Sequence, residues 1–363
     1  MATDVSAVVL TIGEAELPRA LASLTTQSLS LEQVIVVRDV SPFFRAMNQG
    51  AGQVRTPFFV QVDADMILDP HCVETLRKAM GQDTGVAVAH LRDPLAGRVV
   101  GIKLFRTECF QAGGFPDRIS PDTDFIAAIQ RRGWTIQRVG YPENDASPEI
   151  VTLGEHRPDY TPGYTFRKYL LEGRRLRYRA NPGAMRWQFG LLEQSTHSLA
   201  PLAQLALAHG FFQPGVEDGL KPDFSPESQR AAGLQALLIA DHRLDPPRDL
   251  LPPGPTTRLG EILRAYTRAG RELARRGAGA DVRDIWSTLH GAGHDWRVLV
   301  AKLGFGHGLL SPTIEPERER EEARDVELFL TFPGPAMRWR RALPLIRAAR
   351  RLPGLGNRLW RRW

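Results

Sequence analysis

Three short apolar stretches, residues 7–12 (AVVLTI), 34–37 (VIVV) and 58–62 (FFVQV), are rich in Val and Ile and predict buried strands. Between the first two the period changes: Leu17, Leu21 and Leu24 recur at three- and four-residue spacing, so residues 16–27 predict an amphipathic helix. Residues 44–54 predict a second helix, and the alternation continues with a helix over 70–80, strands over 85–90 and 99–105, a turn at Gly113-Gly114, a helix over 122–132 and a strand over 135–139. Strand, helix, strand, helix, strand is the pattern of an α/β fold with parallel strands. Right-handed crossovers in such a sheet put a ligand outside the carboxyl ends of the strands, so the loops after Ile12, Val37 and Val62 are expected to converge.

Past Arg179 the pattern turns Leu- and Ala-rich, and helices are predicted over 196–209, 228–241, 257–276 and 282–303. Residues 244–255 are dense in proline, which cannot continue a helix, and read as a linker. The expected organisation is an α/β domain over residues 1–180, a helical domain over 181–333 and a tail over 334–363.

Composition changes this picture in one place. The chain has 363 residues, is 42% hydrophobic and 24% charged, and carries a net charge of +6. Residues 328–363, however, hold nine Arg and no Asp or Glu, so the rest of the chain stands at −3. In the tail, Arg338-Trp339-Arg340-Arg341 and Leu359-Trp360-Arg361-Arg362-Trp363 interleave rings with guanidinium groups. Such a segment suits an anionic membrane surface, where Trp settles at the headgroups and Arg meets acidic lipid. Pro344 and Pro353 leave open a tail that packs on its own domain. Nucleic acid is disfavoured, since no recognised nucleic-acid fold accompanies the basic segment. Two cysteines, Cys72 and Cys109, are too few for a disulfide framework or a paired-cysteine zinc site. No stretch of about 18 apolar residues appears. The expected location is cytoplasmic, peripheral on the inner face of the membrane if the tail binds lipid.

The candidate chemistry lies at the end of the third strand, in Asp63-Ala64-Asp65. Two carboxylates one residue apart at a strand end can share one hard cation, and Mg2+ or Mn2+ commonly bridges protein carboxylates to substrate phosphates. A solvated turn is the alternative for the triplet taken alone. Pro121-Asp122-Thr123-Asp124 likewise suits the start of a helix, as a cap or as a site for a catalytic carboxylate. No Gly-x-Gly-x-x-Gly or Lys-Ser/Thr loop appears, which excludes the usual dinucleotide and P-loop signatures.

Taken in order, VVLTIGE, VIVVRD, RAMNQGAGQVRTPFFVQVDADMILDP, GGFPDRISPDTDF and LGEHRPDYTPGYTFRKYLLEGRRLRYR resemble family 2 glycosyltransferases of the GT-A fold over residues 5–180. The resemblance implies that Asp65 ligates a metal, that Asp63 contacts the donor ribose or a metal-bound water, and that His156 closes the metal shell. It implies that Thr11, Glu14 and Asp39 meet the nucleotide of a UDP- or GDP-sugar, and that Asp122 is the base that deprotonates the acceptor hydroxyl. The implied activity is a metal-dependent, inverting transfer to a glycan, lipid-linked or small-molecule acceptor. The chain departs from the family pattern in its Thr-Ile-Gly-Glu first loop, in the short segment between Asp39 and Asn48, and in Pro121, which replaces an acidic residue. A sugar-nucleotide nucleotidyltransferase and a non-catalytic scaffold are the alternatives; the former usually has a Gly-rich basic first loop, absent from residues 11–19.

Overall fold

The computed structural model describes residues 3–111, 113–141, 150–179, 182–212, 259–276 and 296–310. The expected helix over 228–241, the linker over 244–255 and the tail over 334–363 lie outside the described residues. Among those described, no helix is long and apolar enough to cross a membrane. The chain divides into two compact units, the first ending at Asp159. The boundary expected at 180 moves back because Pro162–Tyr178 is a helix that packs on Ala200–Phe212, a helix of the second unit.

The first unit is a mixed α/β structure. Its strands are β1 (Val5–Thr11), β2 (Val34–Arg38), β3 (Phe58–Asp63), β4 (Met66–Leu68), β5 (Thr84–Asp93), β6 (Gly97–Arg106), β7 (Thr135–Arg138) and β8 (Thr152–His156). Its helices are α1 (Leu17–Thr25), α2 (Phe43–Ala51), α3 (Cys72–Lys78) and α4 (Pro121–Arg131). The sheet order is β2-β1-β3-β6-β5-β8-β4, with β7 also on β5. The expected parallel pairing is found among β1, β2 and β3 and again between β5 and its neighbours β7 and β8, but not throughout the sheet. β6 lies antiparallel to β3 and to β5, because β5 and β6 form a hairpin closed by Asp93 to Gly97.

Side chains alternate across the sheet as the strand period of two requires. Val5, Ala7 and Val9 pack with Leu24 of α1 and with Cys72, Val73 and Leu76 of α3. Val8 and Leu10 pack on the other face with Ala46 and Met47 of α2 and with Phe125 and Ile129 of α4. On that second face Phe105, Phe110, Phe115 and Phe125 form a contiguous ring cluster, with centroids 4.4 Å apart for Phe110–Phe125 and 5.0 Å for Phe115–Phe125. The cluster anchors the start of α4, and with it Asp122, on the sheet.

The second unit contains α5 (Pro162–Tyr178), α6 (Pro182–Glu193), α7 (Ala200–Phe212), α8 (Leu259–Arg276) and α9 (Trp296–Leu310). Two of its helix pairs cross in the same way. A Cβ on Gly173 of α5 would lie 2.2 Å from the Leu207 carbonyl of α7, and one on Gly210 of α7 would lie 2.1 Å from the Leu170 carbonyl of α5. In α8 and α9 the same contacts recur, Gly270 with the Phe305 carbonyl at 2.3 Å and Gly308 with the Thr267 carbonyl at 2.1 Å. The corresponding residues are 97 or 98 positions apart, including Tyr169 and Tyr266, and His209-Gly210 and His307-Gly308. The unit thus repeats one helix pair, and the two copies meet at buried His209 and His307, whose Nδ1 atoms are 3.4 Å apart.

Candidate functional site

Three strand ends meet at one edge of the sheet. The Asp39 N–H donates to the Thr11 carbonyl at 2.9 Å, and the Ala64 N–H donates to the Leu10 carbonyl at 3.0 Å, so the loops after β2, β1 and β3 are tied side by side. Asp39 is exposed and turns there with φ 55°, in the left-handed region. The β1 loop is folded by its own side chains. Thr11 Oγ1 and the Ile12 N–H both donate to Glu14 Oε2, at 2.7 and 2.9 Å, and the Gly13 N–H donates to Thr11 Oγ1 at 3.0 Å. Glu14 therefore shapes this loop, and it leaves Ile12 72% exposed at its tip.

Asp63 closes β3. Burial first, and then the neighbouring Asp65 charge, push its carboxyl from the ordinary range up to about 6, against the opposing pull of Lys103, a hydrogen bond from Gln61 and His156. The Gln61 amide donates to Asp63 Oδ1 at 3.2 Å. Asp65 follows in the turn to β4. Because β4 pairs antiparallel with β8 and sets Met66 opposite His156, the imidazole arrives beside that turn, with Nε2 3.4 Å from Asp65 Oδ2. The Arg157 N–H donates to the Asp65 carbonyl at 2.7 Å and pins the backbone at the same point. His156 Nδ1 faces Asp93 Oδ2 at 2.7 Å.

Asp122 sits in the first turn of α4. The residue preceding that helix is Ser120, whose side chain makes no capping bond, and the Asp122 carboxylate lies 3.3 Å from Lys103 Nζ. Lys103 comes from the middle of β6, opposite Gln61 of β3, and its side chain is 10% exposed. A buried ammonium is costly unless paired. Here Asp122 pairs with it and Asp63 feels its charge.

The structure thus gathers Asp63, Asp65 and His156 on one side, joins Asp122 to them through Lys103, and sets Thr11, Glu14 and Asp39 along the adjoining strand ends. Lys103 and Asp93 were missing from the sequence reading. Lys103 had a signal, a lone cation inside the apolar run VVGIKLF; Asp93 reads as an ordinary turn residue before Pro94. A third connection ties the loop before α4 to α2. The Asn48 amide donates to the Phe115 carbonyl at 2.9 Å and accepts from the Phe115 N–H at 2.7 Å.

The donor set of two carboxylates and an imidazole suits a divalent cation that takes its remaining ligands from substrate phosphates. Among the described residues no group of three or more His, Cys, Asp or Glu is placed to hold a metal ion, and the two candidate ligands that approach each other are Asp65 and His156.

No protein-family model matches the chain, and no curated protein matches it. Among solved structures, the chain is similar to the mannosyltransferase PcManGT from Pyrobaculum calidifontis in complex with GDP-Man and Mn2+, at 14% identity and a TM-score of 0.37, over 66% of this chain and 81% of that one. It is also similar to S. aureus TarS 1–349 in complex with UDP, at 13% identity and a TM-score of 0.36, and with UDP-GlcNAc, at 12% and 0.35, in both cases over 80% of this chain and 93% of the other.

Proposed function

We propose that the first unit is a GT-A-type glycosyltransferase domain that moves a sugar from a UDP- or GDP-sugar to a hydroxyl of a glycan, lipid-linked or small-molecule acceptor, with inversion at the anomeric carbon. The observation that carries this reading is the meeting of Asp65 and His156, 3.4 Å apart, beside Asp63 at the carboxyl end of a parallel strand. Asp65, Asp63 and His156 would hold Mn2+ or Mg2+, which would supply positive charge to offset that of a departing diphosphate. The β1 loop and Asp39 receive the nucleoside. Asp122 accepts the proton of the acceptor hydroxyl, and Lys103 balances its charge and fixes the orientation of its carboxylate until the acceptor arrives. The Arg- and Trp-rich tail would keep the reaction at an anionic lipid surface, and liposome flotation should fall when residues 334–363 are removed.

The full chain incubated with Mn2+ and a broad panel of nucleotide sugars should release nucleoside diphosphate. Release of pyrophosphate would assign a nucleotidyltransferase instead, and no release from any donor would favour a scaffold. Asp65→Ala and Asp122→Ala should each abolish turnover; unchanged rates in both variants would sink the assignment of roles.

A further inference from the structure

His156 has a carboxylate near each ring nitrogen, and the one on the far side from Asp65 belongs to a residue with no place in the reaction described above. Asp93 ends β5 with its side chain fully buried, at 0% exposure. One carboxylate oxygen, Oδ1, accepts the N–H groups of Leu95 and Ala96 at 2.9 and 2.7 Å, which closes the turn between β5 and β6. The other, Oδ2, lies 2.7 Å from His156 Nδ1. An ionised carboxylate only accepts hydrogen bonds, so the partner nitrogen must carry a proton. In a neutral ring that leaves the lone pair on Nε2, the atom that faces Asp65.

We propose that Asp93 is a positioning residue that locks His156 as its Nδ1–H tautomer and so aims the Nε2 lone pair at the cation shared with Asp65. This rests on the reading of the site as a divalent-cation and diphosphate site. A carboxylate behind a ligating histidine fixes ring orientation and raises its basicity, and losing it typically costs 10- to 100-fold in metal affinity. The buried carboxylate thus has two tasks, one for each oxygen: the hairpin turn and the imidazole.

Asp93→Asn separates them. An asparagine Oδ1 still accepts from Leu95 and Ala96, which keeps the turn, but its NH2 group donates to Nδ1 and drives the ring proton to Nε2, where it blocks a metal. Mn2+ titrated into the full chain with UDP or GDP, with free Mn2+ read by electron paramagnetic resonance, should bind about 10- to 100-fold more weakly to Asp93→Asn than to the wild type. In a His156→Gln background the same change should add no further loss. Equal Mn2+ affinity of wild type and Asp93→Asn would overturn the proposal. A second measurement needs only the wild type: nitrogen NMR of the metal-free protein at a pH where the ring is neutral, with His156 assigned through His156→Gln, should show the Nδ1–H tautomer, and an Nε2–H tautomer would overturn the proposal even if Asp93→Asn fails to fold. Should the wild type take up no Mn2+ with either diphosphate, the reading of the site itself fails, while the tautomer still decides the role of Asp93.

Discussion

Lys103 and His90 show how one buried side chain can be tuned toward chemistry or toward stability. Lys103 serves two carboxylates, lowering the Asp63 carboxyl by its charge and lying 3.3 Å from Asp122. Lys103→Met keeps the length of the stem and removes the charge, and with it the ion pair to Asp122. Turnover should fall by about 100-fold, within the range usual for disturbing a general base, with nucleotide affinity within a few-fold, and Lys103→Arg should restore part of the rate in steady-state assays. Equal kcat for Lys103→Met and wild type would remove Lys103 from the machinery. His90 lies on β5 with Nδ1 buried and unpartnered, its ring 4.6 Å from that of Tyr141. Burial, and after it the charges of Arg98 and Arg138, hold His90 down from 6.5 to about 4. A histidine depressed in the folded state gains its proton first in the unfolded chain, so its stabilisation is complete above about 6.5 and is lost as the pH falls toward 4. Between pH 7 and pH 4 the wild type should lose on the order of 2 kcal/mol more than His90→Phe, as read by urea unfolding at the two pH values. Parallel losses in the two proteins would contradict a neutral His90.

At the scale of elements, the reach of α2 into the loop before α4 decides where Asp122 stands. Asn48 holds both polar backbone groups of Phe115, and a Cβ on Gly114 would fall 2.2 Å from Asn48 Oδ1. Only glycine lets the loop approach this closely. Gly114→Ala should therefore push Asn48 off Phe115 and leave half-buried backbone groups unpaired, a loss of about 1–3 kcal/mol in unfolding measurements together with reduced kcat, since Phe115 packs on Phe125 three residues after Asp122. Wild-type stability in Gly114→Ala would show that the clamp is dispensable. Both ends of this clamp are visible in the sequence, as an Asn-containing helix and a Gly-Gly-Phe turn, but their contact spans 67 residues and no local period encodes it. The same limit explains the rest. The strands with continuous Val and Ile and the helices with regular Leu spacing were legible, within a few residues at their ends. β4 has three residues and β8 has a glycine at its centre, so neither produces a pattern, although their pairing is what brings His156 to Asp65. The antiparallel direction of β6 was equally hidden, because a strand buried on both faces reads alike in either direction.

At the scale of the molecule, the second unit shows how a helical fold of ordinary composition can be held by a few positions. α5 with α7, and α8 with α9, approach closely at reciprocal glycines whose missing side chains are replaced by the partner's backbone. The repeat escaped the sequence reading because its identities are scattered, as at Arg167 and Arg264, Tyr169 and Tyr266, Gly173 and Gly270, and the two His-Gly pairs, and the offset shifts from 97 to 98 between the two helices. A methyl group at Gly210 or Gly308 would meet a carbonyl oxygen of the opposite helix at 2.1 Å in both cases, and a helix backbone cannot yield as a side chain can. Each alanine should therefore force its pair apart at a cost of about 2–3 kcal/mol, and because the two crossings are built alike the two losses should agree within about 1 kcal/mol, the scatter expected from relaxation. Gly190 in α6 is the internal control. A Cβ there meets nothing within 4 Å, so Gly190→Ala should leave stability unchanged or raise it by about 0.5–1 kcal/mol through the unfolded chain. Thermal unfolding of the three variants decides the matter: if Gly308→Ala melts like Gly190→Ala while Gly210→Ala does not, the second crossing is not the equivalent of the first, and the unit is not a repeat of one helix pair.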